Sequence, residues 1–362
     1  MTSGWRFLRP FLYLLVLLTG VFILFLLYAW VDDYRPIETT VIAEDDTAPA
    51  LPDTGTFNLL IWNIGYAGLD ASMDFFYDGG KQMRPGEEGV IANLKGIAEA
   101  LAPHKERDFV LLQEVDRDSK RSYHHNQVEV IESHLHPSCA WFGQNYKVAF
   151  VPIPLKEPMG KVDSGLLTLS RHAASRVVRH AFPGNYGWPV NLFMLDRCFL
   201  VSRFPLKGGR ELLVINTHNS AYDDGSLRKQ QMKFLKDYLL SEYAKGNYII
   251  VGGDWNQSPF GLPPELPAHR FDTENLTYVE QGYPAPEWTW AYDPGLPTNR
   301  RVTTPYDRAT SLTTIIDYYL LSPNLEVLDV STMDLDFQYS DHQPVTLTAK
   351  ILPGLSSPNP FP

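Results

Sequence analysis

The sequence predicts an α/β sandwich whose sheets are flanked by helices. Three observations lead there. Apolar runs of strand length recur along the chain: FNLLIWN from Phe57, DFVLLQ from Asp108, ELLVINT from Glu211, NYIIVGG from Asn247 and TIIDYYLLS from Thr314. Stretches with helical spacing lie between them, so strand and helix signals alternate as they do in layered α/β proteins. Each run also ends in, or is followed by, a polar residue, and a sheet of this class gathers such strand-end residues into one crevice.

The elements follow in order. Phe11 to Val31 is an apolar run interrupted only by Thr19 and Gly20. As a helix it is long enough to cross a hydrocarbon core of about 30 Å. Arg6 and Arg9 precede it and Asp32 and Asp33 follow it, so the positive-inside rule keeps residues 1–10 cytoplasmic and puts the remainder outside. No small-residue cleavage site of A-x-A type follows, which favours an uncleaved, single-pass anchor over a signal peptide. Residues 32–56 carry Pro36, Pro49, Pro52 and the acidic run Glu44-Asp45-Asp46 without hydrophobic period, the pattern of a flexible tether. A single catalytic domain is expected over 57–352, with 353–362 as a loose tail.

Within that domain Val90, Leu94, Ile97 and Leu101 recur at helical spacing and Pro103 closes the pattern, predicting a helix that leads into DFVLLQ. Leu227, Met232, Leu235 and Leu239 mark a second helix, with Asp224 or Ser226 placed to cap it. Two long irregular segments remain, Ala67 to Glu88 and Pro259 to Arg308, both rich in aromatic residues. Loops of this length after strand ends favour a substrate rim, with simple packing onto the domain as the alternative.

Composition narrows the partners. Lys and Arg total 31 against 42 Asp and Glu, a net charge of −11. A protein that grips long DNA non-specifically presents a basic stripe, and none shows here. Cys139 and Cys198 are too few for a metal site of their own and leave one disulfide or two unpaired thiols open.

The polar strand-end residues suit a divalent cation and a phosphate ester. Glu114 closes DFVLLQE and is the leading ligand, because hard carboxylate oxygens select Mg²⁺, Mn²⁺ or Ca²⁺. In GGDWNQSP the glycines permit close backbone approach, and the alternating Asp254 and Asn256 leave an extended segment on one face. One carboxylate can then orient or deprotonate a water while the amide holds a phosphoryl oxygen. Asp317 and His342 suit an acid/base pair, since a carboxylate on one ring nitrogen fixes the tautomer of the other; Asp341 falls on the metal side. His218 could donate to a phosphoryl oxygen or act as a second proton-transfer group.

The ordered set resembles the endonuclease/exonuclease/phosphatase superfamily, whose branches include deoxyribonuclease I-like nucleases, inositol-polyphosphate 5-phosphatases and neutral sphingomyelinases. The matching pieces are Trp62-Asn63, Gln113-Glu114, Thr217-His218, Gly252 to Asn256, Ile316 to Tyr318 and Ser340 to His342, in the family's order. DSGLLTLSR from Asp163 and LRKQQ from Leu227 are similar to two further family segments. The resemblance implies a four-layered sandwich of two packed mixed sheets and Mg²⁺-dependent phosphoester hydrolysis. It implies that Glu114 binds the metal with Asn63 and Asp341 near it, that Asp254 and Asn256 handle nucleophile and phosphate, and that Asp317 pairs with His342. His218 is similar to the nuclease and sphingomyelinase branches. Family members often carry an arginine two places before the IDY aspartate, where this chain has Ile315, and the 67–88 insertion has no counterpart.

The expectation is therefore a membrane-anchored phosphodiesterase with its catalytic domain periplasmic or at the cell surface, acting on a lipid headgroup or another small phosphoester. A deoxyribonuclease I-like endonuclease acting on nucleic acid and a catalytically silent tethered binding domain are the alternatives.

Overall fold

Strands buried on both faces need two apolar layers, and the alternation in FNLLIWN supplies them. Leu59 and Ile61 join one apolar cluster while Leu60 and Trp62 join another on the opposite face. The same division runs through the whole chain in the computed structural model, which describes residues 4–221, 223–263 and 276–352. The tail expected over 353–362 lies outside these residues.

Helix α1 (Gly4–Asp32) is followed by β1 (Thr39–Glu44), β2 (Thr56–Asn63), α2 (Glu87–Leu101), β3 (Phe109–Asp116), α3 (Gln127–Leu135), β4 (Cys139–Val151) and β5 (Gly160–Ser170). Then come β6 (Arg176–Ala181), β7 (Cys198–Pro205), β8 (Glu211–His218), α4 (Ser226–Ala244), β9 (Tyr248–Asp254) and β10 (Thr289–Ala291). Strands β11 (Asn299–Arg300), β12 (Thr313–Thr314), β13 (Asp317–Leu321), β14 (Leu325–Thr332) and β15 (Val345–Ile351) complete the order.

One sheet runs β1-β6-β7-β8-β9-β13-β10 and the other β14-β15-β2-β3-β5-β4, with β11 and β12 as a separate two-stranded ribbon. Both are mixed: β2 and β3 pair in parallel, as do β8 and β9, and the remaining pairs are antiparallel. The sheets pack face to face through Ile61, Leu111, Leu166, Leu200, Val214, Ile250 and Leu347. Each such fully buried aliphatic side chain contributes on the order of 2 kcal/mol. Helix α4 covers the outer face of one sheet with Met232, Leu235 and Leu239; α2 and α3 cover the other with Leu94, Ile97 and Ile131. This is the expected sandwich of two mixed sheets flanked by helices.

The helix signals hold with one refinement. Helix α2 carries Glu87 and Glu88 in its first turn, where the helix dipole favours negative charge, and ends at Leu101 two residues before Pro103. At the start of α4 the capping position falls on Gly225 rather than on Asp224 or Ser226; Asp224 accepts from Ser226 N–H ahead of it, and Asp223 accepts from the N–H groups of Leu227 and Arg228.

Other expectations are corrected. The tether of 32–56 is in large part folded onto the domain. Its segment Thr39–Glu44 is an edge strand, with Val41 opposite Val178 of β6, and Leu51 is buried in the inner cluster. A short β-branched edge strand gains its stability only from a partner far along the chain, so no local period announces it. Of the two readings left open for the 259–308 segment, Trp288 and Trp290 follow the packing one, joining the outer core beside Trp255, Tyr243 and Tyr283, while Asn299 to Arg301 reach the cavity. Cys139 and Cys198 are free thiols.

Helix α1 contains a stretch, Arg9–Asp32, with a mean hydropathy of 2.7, long and apolar enough to span a membrane or to serve as a signal sequence. Its C-terminal part touches the domain, where Phe25 lies 6.2 Å from the Phe150 ring and 5.6 Å from that of Phe193.

Candidate active site

The polar residues converge because of strand direction. Asn63, His218 and Asp254 end β2, β8 and β9, and Glu114 lies near the end of β3. Asp317 opens its strand rather than closing one, but β13 runs antiparallel to β9 and its register places Asp317 opposite Asp254. Likewise Asp341 and His342 lie just before β15, whose first residue Val345 pairs with Ile61 near the end of β2. All of them therefore meet at one end of the sandwich, where Glu114, His218, Asp254, Asp341 and His342 line a cavity of about 420 Å³ and Asn63 and Asp317 stand behind them, bonded to Asp254 and His342.

Glu114 sits in a β-bulge, where β3 loses register against β5 between Leu112 and Val115, and its backbone is left-handed at φ 54°. Such a bulge re-aims one side chain, here out of the apolar layer and into the cavity. The preceding Gln113 points the other way and donates to Asn216 Oδ1 at 2.8 Å, tying the two sheets together beneath the site.

The paired glycines serve packing rather than approach to a ligand. A Cβ on Gly253 would stand 2.0 Å from the Thr217 carbonyl oxygen, and one on Gly252 would stand 2.7 Å from Ile61 and 2.8 Å from Tyr319. They let β9 fit between β8 and the facing sheet, which fixes Asp254. Asn256 is not on an extended continuation of that strand. It is left-handed at φ 50°, its N–H donates to Asp254 Oδ1 at 2.9 Å, and its amide donates to the Asn219 carbonyl at 2.9 Å. Both side chains still border the cavity.

A hydrogen-bonded network links the floor. The Asn63 amide nitrogen donates to Asp254 Oδ2 at 3.0 Å and to Glu114 Oε1 at 3.3 Å, while its oxygen accepts from Gly65 N–H at 3.0 Å. As placed, Asn63 braces the two carboxylates and does not turn its oxygen toward a cation. His218 Nε2 lies 3.4 Å from Asp254 Oδ2 and 4.0 Å from Glu114 Oε1. His342 Nδ1 is 2.8 Å from Asp317 Oδ2, and its Nε2 is 3.8 Å from Asp254 Oδ2.

The two histidines are driven apart electrostatically. Burial, with help from Arg197 and His342, pushes His218 well below the usual imidazole range and keeps it neutral. Burial works in the same direction on His342, but Asp317, Asp341 and Asp254 outweigh it and hold its proton well above that range. Among the acids, burial raises Asp254, with Asp317 adding to the effect against the opposing His342. Burial also pushes Asp341 up to about 7, with the charge of Glu114 adding to it against His342 and Arg300. Four carboxylates crowd one buried site, and a bound cation relieves such crowding.

The donor set fits a hard divalent cation, being built of carboxylate oxygens. Ligand atoms of Asp254, Asp317 and His342 lie within 4.8 Å of one another, the only such group of His, Cys, Asp and Glu among the described residues. The 2.8 Å contact already joins His342 Nδ1 to Asp317, however, so this trio is equally well formed as a proton-handling group. Glu114 and Asp341 supply the remaining carboxylates.

Several site residues were not anticipated. Arg121 forms a bidentate pair with Asp116 at 2.9 and 3.1 Å, lies over the Tyr66 ring, and reaches within 3.9 Å of Glu114. The Asn299 side-chain amide lies 3.0 Å from His342 Nε2. Tyr66 also borders the cavity; so do Leu69, Phe75, Tyr77 and Asp78 from the 67–88 segment and Arg300 and Arg301 from the 259–308 segment, both of which the rim reading did anticipate. The charge of RDSKRSY, directly after QEVD, was the available signal for Arg121; Asn299 had only its place in the 259–308 segment.

The sequence pattern of the endonuclease/exonuclease/phosphatase family matches residues 60–342. The chain belongs to this family. The matched span runs from β2 to His342 and so encloses every floor residue described above. Comparison with curated proteins gives no match. Among solved structures, a family member from Beutenbergia cavernae aligns with a TM-score of 0.56 at 20% identity, covering 82% of this chain and 72% of that one. A member from Bacteroides vulgatus aligns at 0.50 and 13% identity, covering 82% and 99%. ANGEL2, described as a 2',3'-cyclic phosphatase, aligns at 0.51 and 16% identity, covering 87% and 98%. At these identities the likeness shows the fold. Family members hydrolyse phosphoesters, and they typically do so with a divalent metal.

Proposed function

We propose that this member of the endonuclease/exonuclease/phosphatase family is a membrane-anchored phosphodiesterase that depends on a divalent cation, Mg²⁺ first, and cleaves a phosphodiester of a lipid headgroup. The supporting observation is the continuous network in which Asn63 joins Glu114 to Asp254 while the His342–Asp317 pair stands 3.8 Å from Asp254. Helix α1, with its charge flanks, supports an extracytoplasmic domain. The acidic balance and the aromatic-edged cavity favour a small ester over a long duplex.

In this reading Glu114 and Asp341 hold the cation, which when bound offsets charge on the phosphoryl oxygens. Asn63 orients Glu114 and Asp254 through its two donor contacts. Asp254, with its proton affinity raised by burial, orients and deprotonates the attacking water. Asn256 and neutral His218 donate to phosphoryl oxygens, and Asn256 is held for this by its bond to Asn219. His342, kept protonated by the surrounding carboxylates, stabilises developing charge and delivers a proton to the leaving oxygen, with Asp317 fixing its ring.

The test is turnover by the purified full chain on phospholipid vesicles, plasmid DNA and bis(p-nitrophenyl) phosphate, with and without EDTA. Headgroup release that EDTA abolishes and Mg²⁺ restores is expected. Plasmid nicking without headgroup release would assign a nuclease instead, and no turnover of any of the three would point to a silent binding domain.

A further inference from the structure

The end of α1 is not a free stalk. Phe25 stacks on Phe193 and meets Phe150 edge-on, and Ala29 is buried against the domain. Only Asp33 to Glu38 separate the helix from β1, a connection that spans about 20 Å at most. If Phe11 to Val31 fills a bilayer, Phe25 lies six residues inside its end, about 9 Å below the hydrocarbon boundary. Whatever touches Phe25 lies at the same depth. The strand end carrying Phe150 and the loop carrying Phe193 must therefore enter the bilayer surface.

Their side chains are suited to it. Among the described residues, eleven large apolar side chains outside α1 are exposed, and five belong to these two segments: Phe150, Ile153, Leu155, Trp188 and Val190. Leu155 is 86% exposed and Trp188 67% exposed, so both side chains are free to contact a lipid surface, and their sharing two short segments with three further exposed apolar residues sets them apart from singly scattered ones. Tryptophan favours the level of lipid headgroups, and exposed Lys156 beside Leu155 supplies positive charge at the height of the phosphates. Residues flanking these segments, Met159 after the first and Tyr186, Met194 and Leu195 around the second, line the catalytic cavity.

We propose that segments 150–156 and 187–193 form a membrane-docking surface continuous with α1, which seats the mouth of the active site on a phospholipid bilayer so that substrate enters from the lipid phase. The proposal rests on the reading of α1 as a membrane anchor and of the site as a phosphodiesterase. Its first test needs no turnover.

The full chain, with Cys139 and Cys198 replaced by alanine, is reconstituted into phosphatidylcholine/phosphatidylglycerol vesicles with a nitroxide at Leu155→Cys, Trp188→Cys or the distant Leu328→Cys, and with a fourth label at Phe22→Cys as the membrane reference. Labels at 155 and 188 should collide with oxygen in preference to a polar nickel chelate, as at 22, while 328 behaves as water-exposed. Labels at 155 and 188 that match 328 would overturn the proposal. Labels shielded from both reagents would overturn it too, because the surface would then be covered by a protein partner. In a second arm, L155E/W188E should lose at least tenfold in headgroup release from vesicles and stay within twofold on bis(p-nitrophenyl) phosphate. Equal rates on vesicles would refute delivery from the bilayer. If the unsubstituted chain turns over neither substrate, the hydrolase reading fails and the labels alone decide the docking surface.

Discussion

At the floor of the cavity, Asn63, Glu114, His218 and Asp254 stand at the ends of β2, β3, β8 and β9, held by the hydrogen bonds of the sheets. At its rim, Tyr77, Asp78, Tyr186 and Arg301 stand on connecting segments tied to one another, as where Val302 N–H donates to Asp78 Oδ2 and the Tyr186 hydroxyl donates to the Ala221 carbonyl. The floor is rigid and short-ranged, with contacts of 3.0 to 3.4 Å joining residues from different strands. The rim shapes a volume. This difference teaches where chemistry and selectivity reside: substitutions on the floor should change the rate of the chemical step, and substitutions on the rim should change which ester is accepted and how tightly it binds.

The sharpest way to break that division is Asp254→Asn. Loss of the carboxylate should lower kcat by about 10³-fold while the thermal midpoint and circular dichroism stay close to those of the parent. A variant keeping the parental rate would move the base elsewhere. A smaller effect is expected for Asp317→Asn, about 10²-fold, because His342 loses its ring orientation but not its imidazole. The sign of the accompanying pH change is fixed: Asp317 holds the His342 proton on, so without its charge the proton leaves at lower pH. The alkaline limb of kcat/KM should therefore shift to lower pH, and an unmoved limb would remove His342 from the proton path. The mildest change belongs to the rim. Tyr186, whose hydroxyl donates to the Ala221 carbonyl at 3.2 Å, should raise KM by about fivefold when replaced by alanine, about 1 kcal/mol, with kcat within twofold. A collapse of kcat there would erase the distinction between the two regions.

The same contrast explains what could be read from the chain. Asp254, His218 and Asp317 were legible because each is a polar residue closing, following or interrupting an apolar run, and His342 was legible from the Ser340-Asp341-His342 piece ahead of β15; strand direction then brings them to one edge. The two helices were legible from their period. Glu114's bulge was not, since φ 54° arises from a lost register between β3 and β5, a long-range event. The glycines of GGD were assigned to the wrong partner for a similar reason, because the atoms they avoid, on Thr217, Ile61 and Tyr319, come from other strands. Leu51 and the edge strand Thr39–Glu44 were hidden inside a proline-bearing acidic stretch whose composition resembles a tether, although pairing with β6 folds it. Asn299 reaches His342 from the two-residue strand β11, inside the 259–308 segment read as a rim, and no local pattern singled it out there.

The claim beneath all of this is that one hard cation sits between carboxylates at the strand ends, apart from the His342–Asp317 pair. Anomalous diffraction from crystals soaked in Mn²⁺ tests it most directly. The expected map has a peak bounded by the Glu114 and Asp341 carboxylates, with His342 Nδ1 still bonded to Asp317, and that peak is much weakened in Glu114→Gln. No peak in the cavity, or an ion held by Asp254, Asp317 and His342 with the histidine pulled away from its aspartate, would contradict the account.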